Sequence, residues 1–203
     1  MRSLLFVGVF AVASAHAGQF NEKLNIGDTA PMWKDLPGVD GKKHSLVDLK
    51  DKKVVVVVFT CNSCPVAVDY EDRIVSFAKK HCGEGSSVAL VAINVNTIDL
   101  DKLDKMKERA KEKGFTFDYL YDETQAVAKA FGARTTPEWF VLNAERKVVY
   151  MGALDDKNNP KEAKINFVEL GVEAALADKK AEKAETLARG CGIRFARPKR
   201  TDD

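Results

Sequence analysis

The sequence predicts an α/β protein: a mixed β-sheet with helices on both faces, an N-terminal β-hairpin and a C-terminal helical tail. Three observations carry this reading. Val54–Val58 followed by Phe59 is an apolar run without alternation, as expected of a strand buried on both faces between parallel neighbours. A second such run, Val88–Ile93, comes after an amphipathic stretch, which gives the strand-helix-strand order of a parallel unit. Further on, Trp139–Leu142 and Val148–Tyr150 flank a short polar link, and a hairpin there makes the sheet mixed.

Residues 1–17 read as a secretory signal peptide: Met1-Arg2, an apolar run from Leu4 to Ala13, and Ala15-His16-Ala17 before Gly18. The run is too short to span a bilayer comfortably, so a secreted or periplasmic protein with no membrane span is expected. Asp40-Gly41, between Met32–Leu36 and His44–Leu46, signals the N-terminal hairpin. Val68, Ile74, Val75, Phe77 and Ala78 place a helix over Val66–Lys80, with Pro65 tolerated early in it because first-turn N–H groups have no intrahelical partner.

Leu103, Met106 and Ala110 place a second helix over Leu100–Lys113, ended by Gly114. Phe117–Tyr121 reads as a short strand, and Thr124–Phe131 as a short helix stopped at Gly132. The Ala-, Glu- and Lys-rich stretch Lys161–Leu187 reads as a docking helix with Ile165, Val168, Val172, Ala175 and Leu176 on its apolar stripe. The expected domains are therefore a signal peptide at 1–17, an α/β domain at 18–160, and a helix with a basic tail at 161–203.

The 32 basic and 30 acidic residues of the whole chain nearly balance, which gives no electrostatic argument for a nucleic-acid partner. Arg189, Arg194, Arg197, Lys199 and Arg200 read as a solvated terminal cluster.

Chemistry is concentrated in Cys61-Asn62-Ser63-Cys64, which directly follows the valine strand and opens the first helix. Two intervening residues bring both sulfurs within disulfide reach, and the unpaired N–H groups of the first turn are expected to favour a thiolate at Cys61. A zinc site is the structural alternative, but its second half would have to come from the adjacent pair His81-Cys82, a poor arrangement, and no metal is expected. Cys82 reads equally well as a buried small side chain. The four cysteines allow three pairings; a Cys82–Cys191 bridge is one possibility, and the sequence does not choose. Cys191 lies between glycines ahead of Ile193 and Phe195, so the segment has reason to pack, and Cys191 is a candidate additional redox cysteine that could exchange with the Cys61–Cys64 pair or shield it.

These residues resemble the thioredoxin fold, and within it the redoxin group that joins alkyl hydroperoxide reductase/thiol-specific antioxidant proteins to exported TlpA- and ResA-like thiol-disulfide oxidoreductases. The resemblance covers residues 24–156. It is carried by Gly27-Asp28-Thr29-Ala30-Pro31, Phe59-Thr60-Cys61-Asn62-Ser63-Cys64-Pro65, Ala92-Ile93-Asn94-Val95, Tyr121-Asp122-Glu123-Thr124, Phe131-Gly132-Ala133, Thr135-Thr136-Pro137 and Phe140-Val141-Leu142.

The resemblance implies a thioredoxin-like sheet and a cis peptide bond at Thr136-Pro137 that lies against the cysteines and binds extended substrate. It also implies Cys61 as attacking and Cys64 as resolving thiol. No cofactor is implied; the partners are protein thiols or disulfides and an upstream redox partner, and the uncharged Asn62-Ser63 linker favours a reductant. Valine at 55, where thioredoxins carry a buried acid, leaves Glu138, beside Pro137, as the acid with the right general location, expected on an exposed loop. Val54 and Val58 stand where peroxiredoxins have proline and threonine, which demotes peroxide reduction. A non-catalytic binding or metal-delivery module is the remaining alternative. Gly190-Cys191-Gly192-Ile193 matches the ending of small redoxins with a Cys-Asn-x-Cys-Pro motif.

Overall fold

The computed structural model describes residues 18–197. The expected signal peptide, and Lys199 and Arg200 of the basic cluster, lie outside the described residues. The N-terminal hairpin is a short ladder of β1 (Leu36–Pro37) and β2 (Lys43–His44), turned by Gly41 at φ 81°. The valine run forms β3 (Val54–Phe59), wholly buried, and the following helix α1 spans Pro65–His81. Then come β4 (Val88–Asn94), a 3-10 turn over Asp99–Asp101, α2 (Leu103–Lys113), β5 (Asp118–Tyr121) and α3 (Ala126–Phe131). Gly114 and Gly132 close α2 and α3 in the left-handed region, at φ 65° and 68°, where a glycine has no Cβ to clash.

The short strand β6 (Thr135–Thr136) precedes the hairpin of β7 (Glu138–Leu142) and β8 (Val148–Gly152). The main sheet has five strands in the order β5-β4-β3-β7-β8. Strands β3, β4 and β5 run parallel, while β7 is antiparallel to both β3 and β8. Alternate residues of the central strand feed two cores. Val54, Val56 and Val58 pack with Ile74 and Phe77 of α1, Met106 of α2 and Val168 of the last helix. Val55, Val57 and Phe59 pack with Phe131 of α3, Trp33 and Leu46 of the N-terminal segment, and Ile193 near the C-terminus.

The C-terminal expectation needs correction. The helix predicted over Lys161–Leu187 is only α4 (Phe167–Leu176), N-capped by Asn166, whose side chain accepts from Glu169 N–H. Beyond it the chain is irregular because it has other partners. Thr186 N–H donates to the Met151 carbonyl, and the Glu185 carboxylate accepts from the N–H groups of Gln19, Phe20 and Asn21. The last strand, β9 (Cys191–Gly192), pairs antiparallel with β6. Among the described residues, no helix is long and apolar enough to cross a membrane.

Candidate active site

The cysteine motif sits where β3 ends and α1 begins, and Cys64 is the N-cap of that helix. Its sulfur accepts from Ala67 N–H at 3.4 Å, and Pro65 follows at the first helical position. Cys61 is 2% exposed and Cys64 3% exposed. They form a small apolar cluster with Ala67, onto which Cys191 packs.

The structure pairs the cysteines differently from the simplest reading of the motif. Cys64 is disulfide-bonded to Cys191, with their Cα atoms 5.9 Å apart, while Cys61 is a free thiol. Cys82 does not pair with Cys191. It is a free, partly buried thiol against the α1 core, and burial pushes it up to about 11. Neighbouring His81 lies 3.2 Å from the Glu169 carboxylate.

Thr136 and Pro137 come to the same place, and their peptide bond is cis, as the resemblance implied. The Thr136 hydroxyl is 3.4 Å from the Cys61 sulfur, and the Thr136 carbonyl is 3.2 Å from the Cys64 sulfur. In the disulfide Cys64 has no proton, so the second contact becomes a hydrogen bond only when Cys64 is reduced. Strand β9 brings Cys191 opposite Thr136.

The expected lowering of the Cys61 pKa is reversed: burial pushes this thiol up. The Thr136 hydroxyl opposes that, the Asp101 carboxylate adds to it, and the Cys64 N–H and Ser63 hydroxyl pull weakly down. Asp101, which adds to the effect of burial, is a residue the sequence reading missed. Fully buried in the 3-10 turn after β4, its carboxylate accepts from Asn62 N–H at 2.7 Å, Ser63 N–H at 3.1 Å and Ser63 Oγ at 2.5 Å. The loop N–H groups of Asn62 and Ser63 are therefore taken by Asp101, and within the first helical turn Ala67 N–H goes to the Cys64 sulfur.

Ser63 Oγ is also 3.8 Å from the Cys61 sulfur, but its single proton goes to the shorter, charge-assisted partner, Asp101. Asn94, at the end of β4, donates to the Asp101 carbonyl at 3.0 Å and so fixes the turn. Asn62 is held as well, donating to the Leu100 carbonyl and accepting from the Tyr119 hydroxyl at 2.9 Å.

Glu138 is not on an exposed loop. It starts β7 at 8% exposure, and its carboxylate accepts from the N–H groups of Arg134 and Thr135, shaping the turn into β6. Burial pushes its carboxyl up against the pull of those donors. Val55, where a thioredoxin acid would sit, is packed in the dry core beneath α3. Asp101 is thus the carboxylate in contact with the cysteine loop.

A cleft of about 230 Å³ opens beside the disulfide, lined by Ser63, Cys64, Asn96, Ile98, Cys191 and Arg194. Cys191 is the less buried of the two bonded cysteines. The site can therefore hold a free thiol and a disulfide side by side, with the disulfide reachable from solvent through Cys191.

Known proteins share this fold. An uncharacterized conserved protein from Geobacillus kaustophilus is 32% identical with a TM-score of 0.79, the match covering 87% of this chain and 95% of that one. A thiol:disulfide interchange protein from Chlorobium tepidum TLS shares the thioredoxin fold, at 24% identity and a TM-score of 0.58 over 74% of this chain and 97% of that one. Two Mycobacterium tuberculosis proteins named as peroxiredoxins are 30% identical over 115 residues, 55% of this chain. The match spans 66% of the length of those relatives. The Redoxin family profile matches residues 25–167, and with the thioredoxin-like fold on which the cysteines are mounted, the chain belongs to the Redoxin family.

Proposed function

We propose that this redoxin is an exported thiol-disulfide oxidoreductase that reduces disulfides of partner proteins, with Cys61 attacking, Cys64 resolving and Cys191 as a third redox cysteine. The carrying observation is a free Cys61 packed against Cys64 while Cys64 is bonded to Cys191, the state reached by one exchange from a Cys61–Cys64 bond. In the fully reduced protein, the Cys61 thiolate attacks one sulfur of a partner disulfide and the other partner sulfur leaves as a thiolate. The Cys64 thiolate attacks the Cys61 sulfur and expels the second partner thiolate. The Cys191 thiolate then attacks Cys64, and Cys61 leaves and takes up a proton. The partner has gained two electrons, and the enzyme holds them as a deficit in Cys64–Cys191.

An upstream dithiol restores the enzyme: its first thiolate attacks Cys191, the more exposed cysteine, through the cleft and expels Cys64, and its second thiol displaces that mixed disulfide, leaving Cys191 reduced and the dithiol oxidised. Export rests on the signal-peptide pattern of residues 1–17. The test is trapping. Cys64→Ser, combined with Cys191→Ser to remove the third thiol, accumulates mixed disulfides with partner proteins on Cys61, and adding Cys61→Ser abolishes them. Equal trapping with and without Cys61 would overturn the assignment.

The peroxiredoxin names of the Mycobacterium tuberculosis relatives favour a second reading, in which a peroxide replaces the partner disulfide. It requires a peroxide-dependent sulfenic acid at Cys61, trapped by dimedone, together with peroxide turnover.

A further inference from the structure

The segment Gly190–Ala196 lies along the site as a strap, and the way it is held says what else the groove accepts. Three features of its seat read backbone and not sequence. Strand β9 pairs with β6 through Thr135–Gly192 and Thr136–Cys191, and Ile193 N–H donates to the Arg134 carbonyl at 2.8 Å. The buried Gln125 side-chain amide clasps the continuation, donating to the Arg194 carbonyl at 2.9 Å and accepting from Ala196 N–H at 2.7 Å. Any extended chain could make these bonds.

Around the cysteine, two flanking positions select a side chain. At 190 an added Cβ would run into the Thr136 carbonyl, so the residue before the cysteine has to be very small. At 193 the side chain is 9% exposed and joins the core of Phe59 and Phe131, so the residue two after the cysteine has to be apolar. Between them, Cys191 is delivered onto the Cys61–Cys64–Ala67 cluster and covers it.

We infer that residues 190–196 are a resident occupant of a peptide groove whose incoming ligand is an extended, disulfide-bonded segment of a partner protein with the pattern small-Cys-any-apolar. The partner strand displaces the strap and puts its own half-cystine where Cys191 now lies, on the cluster that holds Cys61 and Cys64. This rests on the exchange reaction proposed above and names its substrate class. The strap's covalent tie, Cys64–Cys191, is itself a disulfide open to the same exchange chemistry, so reduction of the enzyme also opens the groove.

The experiment uses the full chain, pre-reduced, and follows by stopped flow its reduction of peptide disulfides carrying thionitrobenzoate on the cysteine. The matched peptide copies residues 189–194, Arg-Gly-Cys-Gly-Ile-Arg; two others carry Val before the cysteine or Asp two residues after it. Free Ellman's reagent serves as the small disulfide. The matched peptide is expected to react about tenfold faster than either variant peptide. Ile193→Asp and Phe195→Ala, two independent changes on the strap itself that loosen its packing, are each expected to accelerate the matched peptide severalfold. Peptide rates within twofold of one another, or strap variants without effect, while Ellman's reagent is reduced, would overturn the groove assignment alone. Failure to reduce Ellman's reagent as well would overturn the oxidoreductase reading beneath it.

Discussion

The hydroxyl of Thr136 lies 3.4 Å from the sulfur of Cys61 and is the largest influence holding that buried thiol's pKa down. Thr136→Val removes the donor and keeps the shape. With one hydrogen bond worth about 1 kcal/mol, the thiolate at a given pH should fall about fivefold. Alkylation of the reduced protein by iodoacetamide, assigned to Cys61 by peptide mapping across pH, is the check. The rate should drop and its pH midpoint move up, with Thr136→Ser recovering both.

Asp101 acts on the same thiol in the opposite sense. Asp101→Asn removes a negative charge that raises the Cys61 pKa, so the Cys61 alkylation midpoint should move down in pH. The amide retains one acceptor for the Asn62 and Ser63 groups. Asp101→Ala retains none, and leaving these part-buried donors unpaired should cost about 2–4 kcal/mol of stability. Urea unfolding separates the two variants; an Asn variant whose titration does not move would show that Asp101 is structural only.

The Cys64–Cys191 bond closes a loop spanning 127 residues. Crosslinks over loops of this size restrict the unfolded chain by about 4–5 kcal/mol in the chain-entropy account. Oxidised wild type should therefore unfold at markedly higher urea than Cys191→Ser, and Cys64→Ser with Cys191→Ser should lose little more than the single change. Dithiothreitol should erase the difference.

Cys82 supplies a pH test away from the site. With its thiol pushed to about 11 by burial, the unfolded chain gives up this proton first, near pH 8.5, so stability falls as pH rises from there through about 11 and is unaffected below. Wild type should lose stability relative to Cys82→Ala in that window alone. Thiol exchange at neutral pH should be the same in both.

Local pattern made most of the sheet legible. The valine run, the Asp-Gly turn and the glycine stops at 114 and 132 each fix the backbone within a few residues, and β3, the first hairpin, α2 and α3 appear where those signals stand. The C-terminal helix is shorter than composition predicts because alanine and lysine favour a helix only where nothing else competes. Here backbone partners at Met151 and on Gln19–Asn21 do compete.

The candidate site was legible where it is contiguous and opaque where it is assembled. Cys61, Cys64 and the Thr136-Pro137 step were visible as motifs. Asp101 was not, because its partner Ser63 is 38 residues away, and only the pairing of β3 with β4 brings their C-terminal ends together. The reversed shift at Cys61 is hidden for a related reason: its largest cause is burial, set by how distant segments cover the sulfur, and the Asp101 charge adds to it.

The anchoring of Thr186 to Met151 sets how far the strap can travel once it is cut loose. Five residues, 187–191, separate that anchor from the Cys191 sulfur, a reach of about 17 Å when fully extended. One thiol confined to a sphere of that radius has an effective concentration of roughly tens of millimolar. A free partner cysteine at micromolar concentration faces a tethered rival some ten-thousandfold more abundant, so the groove turns over productively only for partners whose segment seats better than the chain's own. Promiscuous thiols are screened out by proximity, without any contact that rejects them.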